Sequence, residues 1–293
     1  MSLLIHLHDA DGGKFPNLAL MKLSAWHKAK GDTVGWYEPL LWADMVYSSK
    51  VFTWTPEDQQ LFSGVQRGGT GYGLETWLPD EAEHSMPDYG LYSSTHSQGF
   101  LTRGCPNACP WCIVPSKEGQ IRPHADVEEF LAHKDVVLMD NNVLAHPHGI
   151  EQIEKMARLG VKVDFNQGLD ARLIDDGIAR RLAALKWLSP LRLACDRKGQ
   201  MESIQKAVTL LRWHNVTPRR YFVYTLVKDI PDALERIRFL KGMDLDPFAQ
   251  PYRDFTTNAE PEPEQKAFAR WVNMKAAYKT TTWEQYRDAR KAA

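Results

Sequence analysis

The chain has 293 residues, of which 43% are hydrophobic and 25% charged, and its net charge is −1. This length allows one large domain or two smaller ones with a substantial core. No apolar run is long enough to span a membrane and no leader pattern opens the chain, which predicts a cytoplasmic protein without a membrane partner. Three of its four cysteines lie within eight positions. That clustering favours a metal site over disulfides.

Charge is distributed unevenly along the chain. Residues 1–95 carry six basic and twelve acidic side chains, whereas the remainder carries 30 basic and 25 acidic ones. The downstream part is therefore mildly basic, which by itself falls short of the signature of a nucleic-acid-binding protein.

The first segment alternates strand and helix patterns. The predicted elements are a strand at Leu3–Leu7, a helix at Asn17–Lys30 and short strands at Thr33–Tyr37 and Met45–Tyr47. This order predicts a small α/β domain over residues 1–95, in which residues 64–98 form a long connecting segment. The loop from His8 to Lys14 lies where backbone N–H groups can bind an anion, although such glycine-rich loops are often only tight turns.

The alternation becomes regular from Gly99 onward. Strands are predicted at Gly99–Thr102, Val136–Met139, Val161–Phe165, Leu191–Cys195, Tyr221–Leu226 and Phe248–Tyr252. Helices are predicted at 126–133, 149–159, 174–187, 201–214 and 231–241, followed by one or two amphipathic helices at the end. Strands joined by helices pair in parallel. We therefore expect residues 96–293 to form a partial (β/α)6 TIM-like barrel, with its chemistry at the carboxyl ends of the strands.

A cysteine motif directly follows the first of these strands. It reads Gly99-Phe-Leu-Thr-Arg-Gly-Cys105-Pro-Asn-Ala-Cys109-Pro-Trp-Cys112. Three thiolates at this spacing can each ligate one iron of a [4Fe–4S] cluster, which leaves the fourth iron without a protein ligand. The alternative is a structural zinc site completed by His124. The position of the motif after the first strand of an α/β series favours the iron–sulfur cluster.

The motif, with Trp111 immediately before its third cysteine, resembles the signature of the radical S-adenosylmethionine (SAM) superfamily. The resemblance implies that the amino and carboxylate groups of SAM chelate the fourth iron, with Trp111 near the cofactor. It implies that an electron then cleaves SAM to a 5′-deoxyadenosyl radical, which abstracts hydrogen from a substrate. A reductant such as flavodoxin or ferredoxin is implied as a partner.

The resemblance also implies roles for polar residues beyond the second strand. There the family commonly places groups that bind the SAM amino group, and Asp140, Asn141 and Asn142 occupy that position. The alternative is that these residues only form a turn, since Asn and Asp are common there.

Polar residues also follow the third and fourth predicted strands. Gln167, Asp170 and Arg172 could hold the SAM carboxylate or the substrate, unless Asp170 is only a helix N-cap. Asp196, beside Arg197, could contact the ribose or carboxylate of SAM, or could belong to a surface ion pair.

Residues 2–55 resemble the Rossmann-like domain that precedes the barrel in cobalamin-dependent radical SAM enzymes. The resemblance rests on Pro16-Asn-Leu-Ala-Leu-Met-Lys-Leu and Lys30-Gly-Asp-Thr-Val. The cobalamin-binding motif D-x-H-x-x-G is absent, and beyond the triad only Cys195 remains, which we expect to be a small buried side chain. The whole chain resembles compact radical SAM proteins of bacteria and their phages.

Three hypotheses follow. The first is a radical SAM enzyme with one cluster that abstracts hydrogen from an unidentified substrate, for which nucleic acid or peptide is possible. The second is a cobalamin-dependent radical SAM methylase. The third is a non-catalytic iron–sulfur or zinc protein that binds nucleic acid through its basic downstream part. Basic and aromatic residues also alternate between Arg270 and Arg287, where they could stack bases and neutralise phosphates. For that segment, packing of Trp271, Met274 and Tyr278 onto the barrel is the favoured interpretation.

Overall fold

The computed structural model describes residues 1–13, 15–59, 61–216, 221–257 and 259–292. The backbone divides into two compact units. Unit 1 comprises Met1–Phe100 and Ala125–Val136, and unit 2 comprises Leu101–His124 and Val137–Ala293. The chain therefore crosses between the units three times. The predicted boundary after residue 95 lies close to the first crossing, and the sequence pattern indicated neither of the other two.

Unit 1 is built on a parallel sheet. Its elements are β1 (Leu4–Asp9), α1 (Leu18–Ala29), β2 (Thr33–Trp36), β3 (Met45–Ser49), β4 (Gln66–Gly68), α2 (Asp80–Glu83) and β5 (Ser97–Gly99). The strand order is β2-β1-β3-β4, with every neighbouring pair parallel. Ile5 and Leu7 of β1 are buried against Leu20 and Leu23 of α1. This confirms the predicted α/β character of the segment.

Strand β4 lies inside the segment that the sequence predicted to be a connection. It has only three residues, too few to show an alternating pattern, and it forms by pairing with Tyr47–Ser49. The interpretation of 64–98 as connecting segment was therefore wrong at this point. In the loop after β1, Asp9 accepts a hydrogen bond from Tyr92 at 2.6 Å and Asp11 accepts one from the Val51 N–H at 2.6 Å. Lys14, the last residue of the loop predicted to bind an anion, lies outside the described residues.

From Leu101 onward the first elements are β6 (Thr102–Arg103), α3 (Val114–Lys117), β7 (Arg122–Pro123), β8 (Asp135–Leu138), α4 (Pro147–Leu159), β9 (Lys162–Phe165), α5 (Asp176–Ala183) and β10 (Lys186–Trp187). The later elements are β11 (Arg192–Ala194), α6 (Met201–Trp213), β12 (Phe222–Val227), α7 (Ile230–Gly242), β13 (Asp246–Pro251), α8 (Pro263–Asn273), α9 (Lys275–Thr280) and α10 (Trp283–Ala292). Helices separate most of the successive strands, as predicted.

The strands β8–β13 belong to two hydrogen-bonded sheets, and β6 and β7 form a separate antiparallel pair. One contains the order β10-β9-β8, and the other has the order β11-β12-β13 with parallel pairing throughout. A parallel bridge between Leu169 and Leu193 links the end of β9 to β11. The prediction of an α/β fold with parallel strands is confirmed. Closure of the strands into a partial barrel stays a prediction.

Three predicted elements differ from the structure. The strand at Gly99–Thr102 is replaced by β5 and by β6, which pairs antiparallel with β7. The helix at 126–133 is a single 3-10 turn at Val127–Glu129, with a capping box of Asp126 and Glu129 at its start. The helix at 174–187 ends at Ala183, and Lys186–Trp187 instead pair with Lys162–Val163. In the first and third cases strand pairing outweighed the pattern of local hydrophobicity.

The chain ends in three helices that pack by their aromatic side chains. Trp271 and Tyr278 are buried in one cluster with Phe268 and Trp283, which confirms the predicted packing of this segment. Met274 is 47% exposed, so its predicted burial was wrong. None of the helices within the described residues is long and apolar enough to cross a membrane.

Candidate functional site

The three clustered cysteines lie on the loop between β6 and α3. Gly104 starts this loop with φ of +80°, and a Cβ there would lie 2.2 Å from the carbonyl oxygen of Gln120. The Cys105 N–H donates to the Gly119 carbonyl at 3.2 Å, and the Cys112 N–H donates to the Cys109 carbonyl at 3.0 Å. All three thiols are free of disulfides, and Cys112 is exposed. Backbone hydrogen bonds thus fix the conformation of the loop, and its three thiols remain available to bind a metal group.

Glu118 fixes the start of the cysteine loop. Its buried carboxylate accepts hydrogen bonds at 2.9 Å from the Gly104 N–H and from Asn141 Nδ2, and Arg103 Nε lies 3.6 Å away. Glu118 therefore ties the loop to the residue that follows β8. Glu118 is not among the site residues that the sequence predicted. A glutamate six positions after the third cysteine carries no signal of its own, since only the folded chain brings it to Gly104.

Asp140 ties the end of β8 to the strand before the cysteines. Its Oδ1 accepts hydrogen bonds from the Thr102 N–H at 2.6 Å and from Thr102 Oγ1 at 2.7 Å, and the Leu101 N–H donates to the carboxylate at 3.1 Å. The side chain is buried, and burial raises the pKa of Asp140 to about 6. Both carboxylate oxygens of this predicted SAM-binding residue therefore already accept hydrogen bonds from Leu101 and Thr102.

Two asparagines converge on Cys105. Asn107 Nδ2 lies 3.5 Å from Cys105 Sγ and 3.3 Å from Asp170 Oδ2. Asn142 Nδ2 lies 3.6 Å from the same sulfur and 3.2 Å from the same carboxylate oxygen. Asn142 is buried, and its Oδ1 has no hydrogen-bond partner within the described part of the chain. A buried amide oxygen without a partner costs free energy unless a ligand supplies a donor.

Asp170 and Arg172 form a bidentate ion pair beside the Cys105 sulfur. Arg172 donates to the carboxylate through Nε at 2.8 Å and through a terminal nitrogen at 2.6 Å. Burial alone would raise the pKa of Asp170, but the bonds from Arg172 outweigh it and hold the pKa below its ordinary value. Asp170 also accepts from the Arg172 N–H at 3.1 Å, so the predicted N-cap and the predicted charged pair are both present.

The thiols lie within electrostatic reach of one another and of the loops after β9 and β11. Burial raises the pKa of Cys109, Arg172 and Arg197 lower it, and Cys105 and Asp196 raise it. Although Cys112 is exposed at the surface, partial desolvation of its thiol raises the pKa of Cys112, the Val114 N–H lowers it, and Cys109 and Cys105 raise it further. A positively charged metal group bound to the thiols would remove this opposition to ionisation.

A buried arginine, Arg236, holds the backbone at Cys195 and at Leu226. Asp196 Oδ1 accepts from the Leu226 N–H at 3.0 Å, and burial raises the pKa of Asp196. Arg236, only 1% exposed, donates to the Cys195 carbonyl at 2.6 Å and to the Leu226 carbonyl at 2.8 Å. The Cys195 side chain is fully buried, which confirms its prediction as a small core residue. Arg236 was missed because nothing in a helical pattern marks an arginine as buried.

The remaining predicted site residues make fewer contacts with the residues around Cys105. Trp111 is half-buried in the cysteine loop, Gln167 is exposed in the turn after β9, and Asn141 is bonded to Glu118. Within the residues that the structure describes, no group of three or more His, Cys, Asp or Glu side chains is arranged to hold a metal ion. The cluster and its ligand set therefore stay predictions. The donor set nevertheless fits an iron–sulfur cluster, because three unpaired thiols share one loop.

The fold is similar to two structures of the cobalamin-dependent S-adenosylmethionine radical enzyme OxsB. The structure with aqua-cobalamin bound has a TM-score of 0.54 and 12% identity over 95% of this chain. The structure with aqua-cobalamin and S-adenosylmethionine bound has a TM-score of 0.50 and 11% identity over 96% of this chain. This chain spans 56% of that enzyme's length in both. No protein-family model and no curated protein matches the sequence.

Proposed function

We propose that this chain is a radical SAM enzyme, which reductively cleaves SAM so that hydrogen is abstracted from a substrate still to be identified. The observation that carries the proposal is the loop of Cys105, Cys109 and Cys112 in a fold similar to that of a radical SAM enzyme. At 12% identity the likeness extends to the fold alone. The chemistry is therefore inferred from the cysteine loop and from the polar residues around it.

Cys105, Cys109 and Cys112 would hold the [4Fe–4S] cluster. When bound, this group supplies the electron that cleaves SAM to a 5′-deoxyadenosyl radical. Glu118 and Gly104 fix the start of the loop, and Asp140 fixes the strand before it. These three residues act on the position of the thiols, and we include Asp140 among the site residues on that basis.

The SAM-binding residues would be the polar groups next to Cys105. The unpaired Oδ1 of Asn142 is suited to accept a hydrogen bond from the ammonium group of SAM. The guanidinium of Arg172, already oriented by Asp170, is suited to the SAM carboxylate. Asp196 would contact the ribose. Trp111, Asn141 and Gln167 complete the proposed set.

The cobalamin-dependent methylase is the second candidate, and one observation favours it. Both similar structures are those of a cobalamin-dependent enzyme with aqua-cobalamin bound. The motif D-x-H-x-x-G is absent from this sequence, which favours a reaction without cobalamin. Incubation of the full chain with hydroxocobalamin, followed by gel filtration and an absorption spectrum, separates the two. Stoichiometric retention of cobalamin would replace the leading proposal with the methylase.

The test of the proposed function uses the reconstituted protein under anaerobic conditions with dithionite and SAM. We expect a [4Fe–4S] absorption spectrum and formation of 5′-deoxyadenosine, with flavodoxin or ferredoxin able to replace dithionite. Cys109→Ala should lose both, because each thiolate holds a separate iron. Cys195→Ala is the matched control and should keep its iron, since that thiol is buried in the core. Normal 5′-deoxyadenosine formation by Cys109→Ala contradicts the proposal, and a zinc-loaded, colourless protein supports the structural zinc site.

A further inference from the structure

The two asparagine amides beside Cys105 are oriented without ambiguity. The Nδ2 atoms of Asn107 and Asn142 each face two acceptors, the Cys105 sulfur and Asp170 Oδ2. An amide oxygen turned toward either acceptor would be repelled, so each side chain must present its NH2 group there. One sulfur therefore receives two side-chain N–H donors from different segments of the chain.

Asp170 holds these donors in place. Each amide carries two N–H groups, one for the sulfur and one for the carboxylate oxygen. Arg172 is bonded to the same carboxylate at 2.8 and 2.6 Å, so Asp170 carries a compensated charge rather than a free negative charge beside the sulfur. The donors themselves are neutral amides, which keep their protons throughout the working pH range.

We propose that Asn107 and Asn142 raise the reduction potential of the cluster by donating N–H···S hydrogen bonds to Cys105, an inference that rests on the proposed function. Hydrogen bonds to the sulfurs are among the factors that set iron–sulfur potentials. The reduced cluster carries one more negative charge than the oxidised one. N–H donors therefore stabilise the reduced form more, and the cluster accepts an electron more readily. In this role both asparagines act through Cys105 as positioning residues, and the role uses the Nδ2 of Asn142 and not its Oδ1.

The test is a potentiometric titration of the reconstituted full chain without SAM or substrate. The EPR signal of the reduced cluster reports the reduced fraction at each potential. Asn107→Leu removes the donor at nearly constant volume. We expect its midpoint to shift to more negative potential, so that less than half of its cluster is reduced at the midpoint of the unaltered protein. Asn142→Leu should shift the same way, and the double variant further than either. Ala108→Leu, an exposed change in the same loop, is the control and should not shift the midpoint.

An unchanged midpoint in Asn107→Leu and Asn142→Leu, with the cluster intact, overturns the inference and leaves the proposed function standing. An unaltered protein that binds no [4Fe–4S] cluster contradicts the proposed function instead. If the variants fail to assemble a cluster, the unaltered protein labelled with ¹⁵N in its asparagine side-chain amides decides the question. Hyperfine coupling of the reduced cluster to this label is expected, and its absence overturns the inference.

Discussion

Asn142 uses one half of its amide inside the protein and leaves the other half unpaired. Its NH2 group faces Cys105 and Asp170, whereas its buried Oδ1 has no partner among the described residues. Asp140, two residues earlier, is also buried, yet it directs both oxygens to Leu101 and Thr102. Neighbouring residues of similar chemistry therefore differ in what they can offer a ligand.

Asn142→Ala is expected to weaken SAM binding while the cluster spectrum is kept. The change removes an acceptor for the SAM ammonium group, and a hydrogen bond to a charged group contributes about 1.5–3 kcal/mol. The dissociation constant should therefore rise by roughly tenfold or more. Calorimetric titration of the reconstituted protein with SAM measures it. Gln205→Ala, which removes an exposed amide on α6, is the control, and an unchanged constant in Asn142→Ala would make Asn142 a structural residue only.

Asp140 is expected to make stability depend on pH in the acidic range. Burial raises the pKa of Asp140 from 3.8 to about 6, against the opposing effect of its hydrogen bonds from Thr102 and Leu101. The folded protein thus binds this proton more tightly than the unfolded chain does. As pH rises between about 4 and 6, Asp140 should lower the free energy of unfolding by about 3 kcal/mol, and no further above that range.

Urea unfolding from about pH 4 to pH 7 measures this dependence. Asp140→Asn removes the titrating group. The free energy of unfolding of the unaltered protein minus that of Asp140→Asn therefore isolates the contribution of Asp140 from that of other carboxyl groups, and we expect this difference to fall as pH rises. The prediction is contradicted if the difference is constant across the range or rises with pH.

At the scale of elements, the cysteine loop depends on close backbone approach at Gly104. Gly104 and Gly119 both have positive φ, at +80° and +71°. A Cβ at Gly104 would meet the carbonyl oxygen of Gln120 at 2.2 Å, whereas a Cβ at Gly119 meets nothing within 4 Å. The two glycines therefore share the conformational requirement but differ in the space around them.

Gly104→Ala is expected to displace the loop and to lower iron incorporation severely. Gly119→Ala carries only the strain of a left-handed residue, about 1 kcal/mol, and should keep most of its iron. Iron content and cluster absorbance after identical reconstitution compare the two variants. Equal iron content in both would show that the approach of Gly104 to Gln120 does not control the position of the thiols.

At the scale of the whole molecule, the chain returns to unit 1 after the cysteine loop. Residues 125–136 pack there, and Tyr89 donates to the Phe130 carbonyl at 2.6 Å and accepts from the Gln98 N–H at 3.1 Å. All predicted cluster and SAM residues nevertheless lie downstream of Ser94. A single cut at Ser94 therefore keeps the candidate site but leaves part of unit 1 without its partners.

A protein that begins at Ser94 is expected to be less stable than the full chain, because Val127 and Phe130 lose their buried surroundings. Thermal unfolding and gel filtration measure the loss. Tyr89→Phe in the full chain is the milder companion, with an expected destabilisation of about 1–3 kcal/mol from two lost buried hydrogen bonds. An equal melting temperature for truncated and full-length protein would contradict the importance of residues 125–136.

The sequence by itself determined the alternation of strands and helices, the cysteine loop and the polar residues after each strand. These features are local, since hydrophobic periodicity and motif spacing can be read along the chain. Short pieces such as β4 and β10 could not be predicted, because two- and three-residue strands form only by pairing with distant partners.

Only the tertiary structure decided which polar side chains are hydrogen-bonded within the protein and which keep an atom available to a ligand. Asp140 and Asn142 are similar polar residues two positions apart, but Asp140 accepts a hydrogen bond from Thr102 whereas Asn142 faces Cys105. Glu118, Asn107 and Arg236 acquire their roles solely from what lies next to them. Hydrogen-bond partners are set by distances of about 3 Å between segments far apart in the chain, and sequence spacing does not encode those distances.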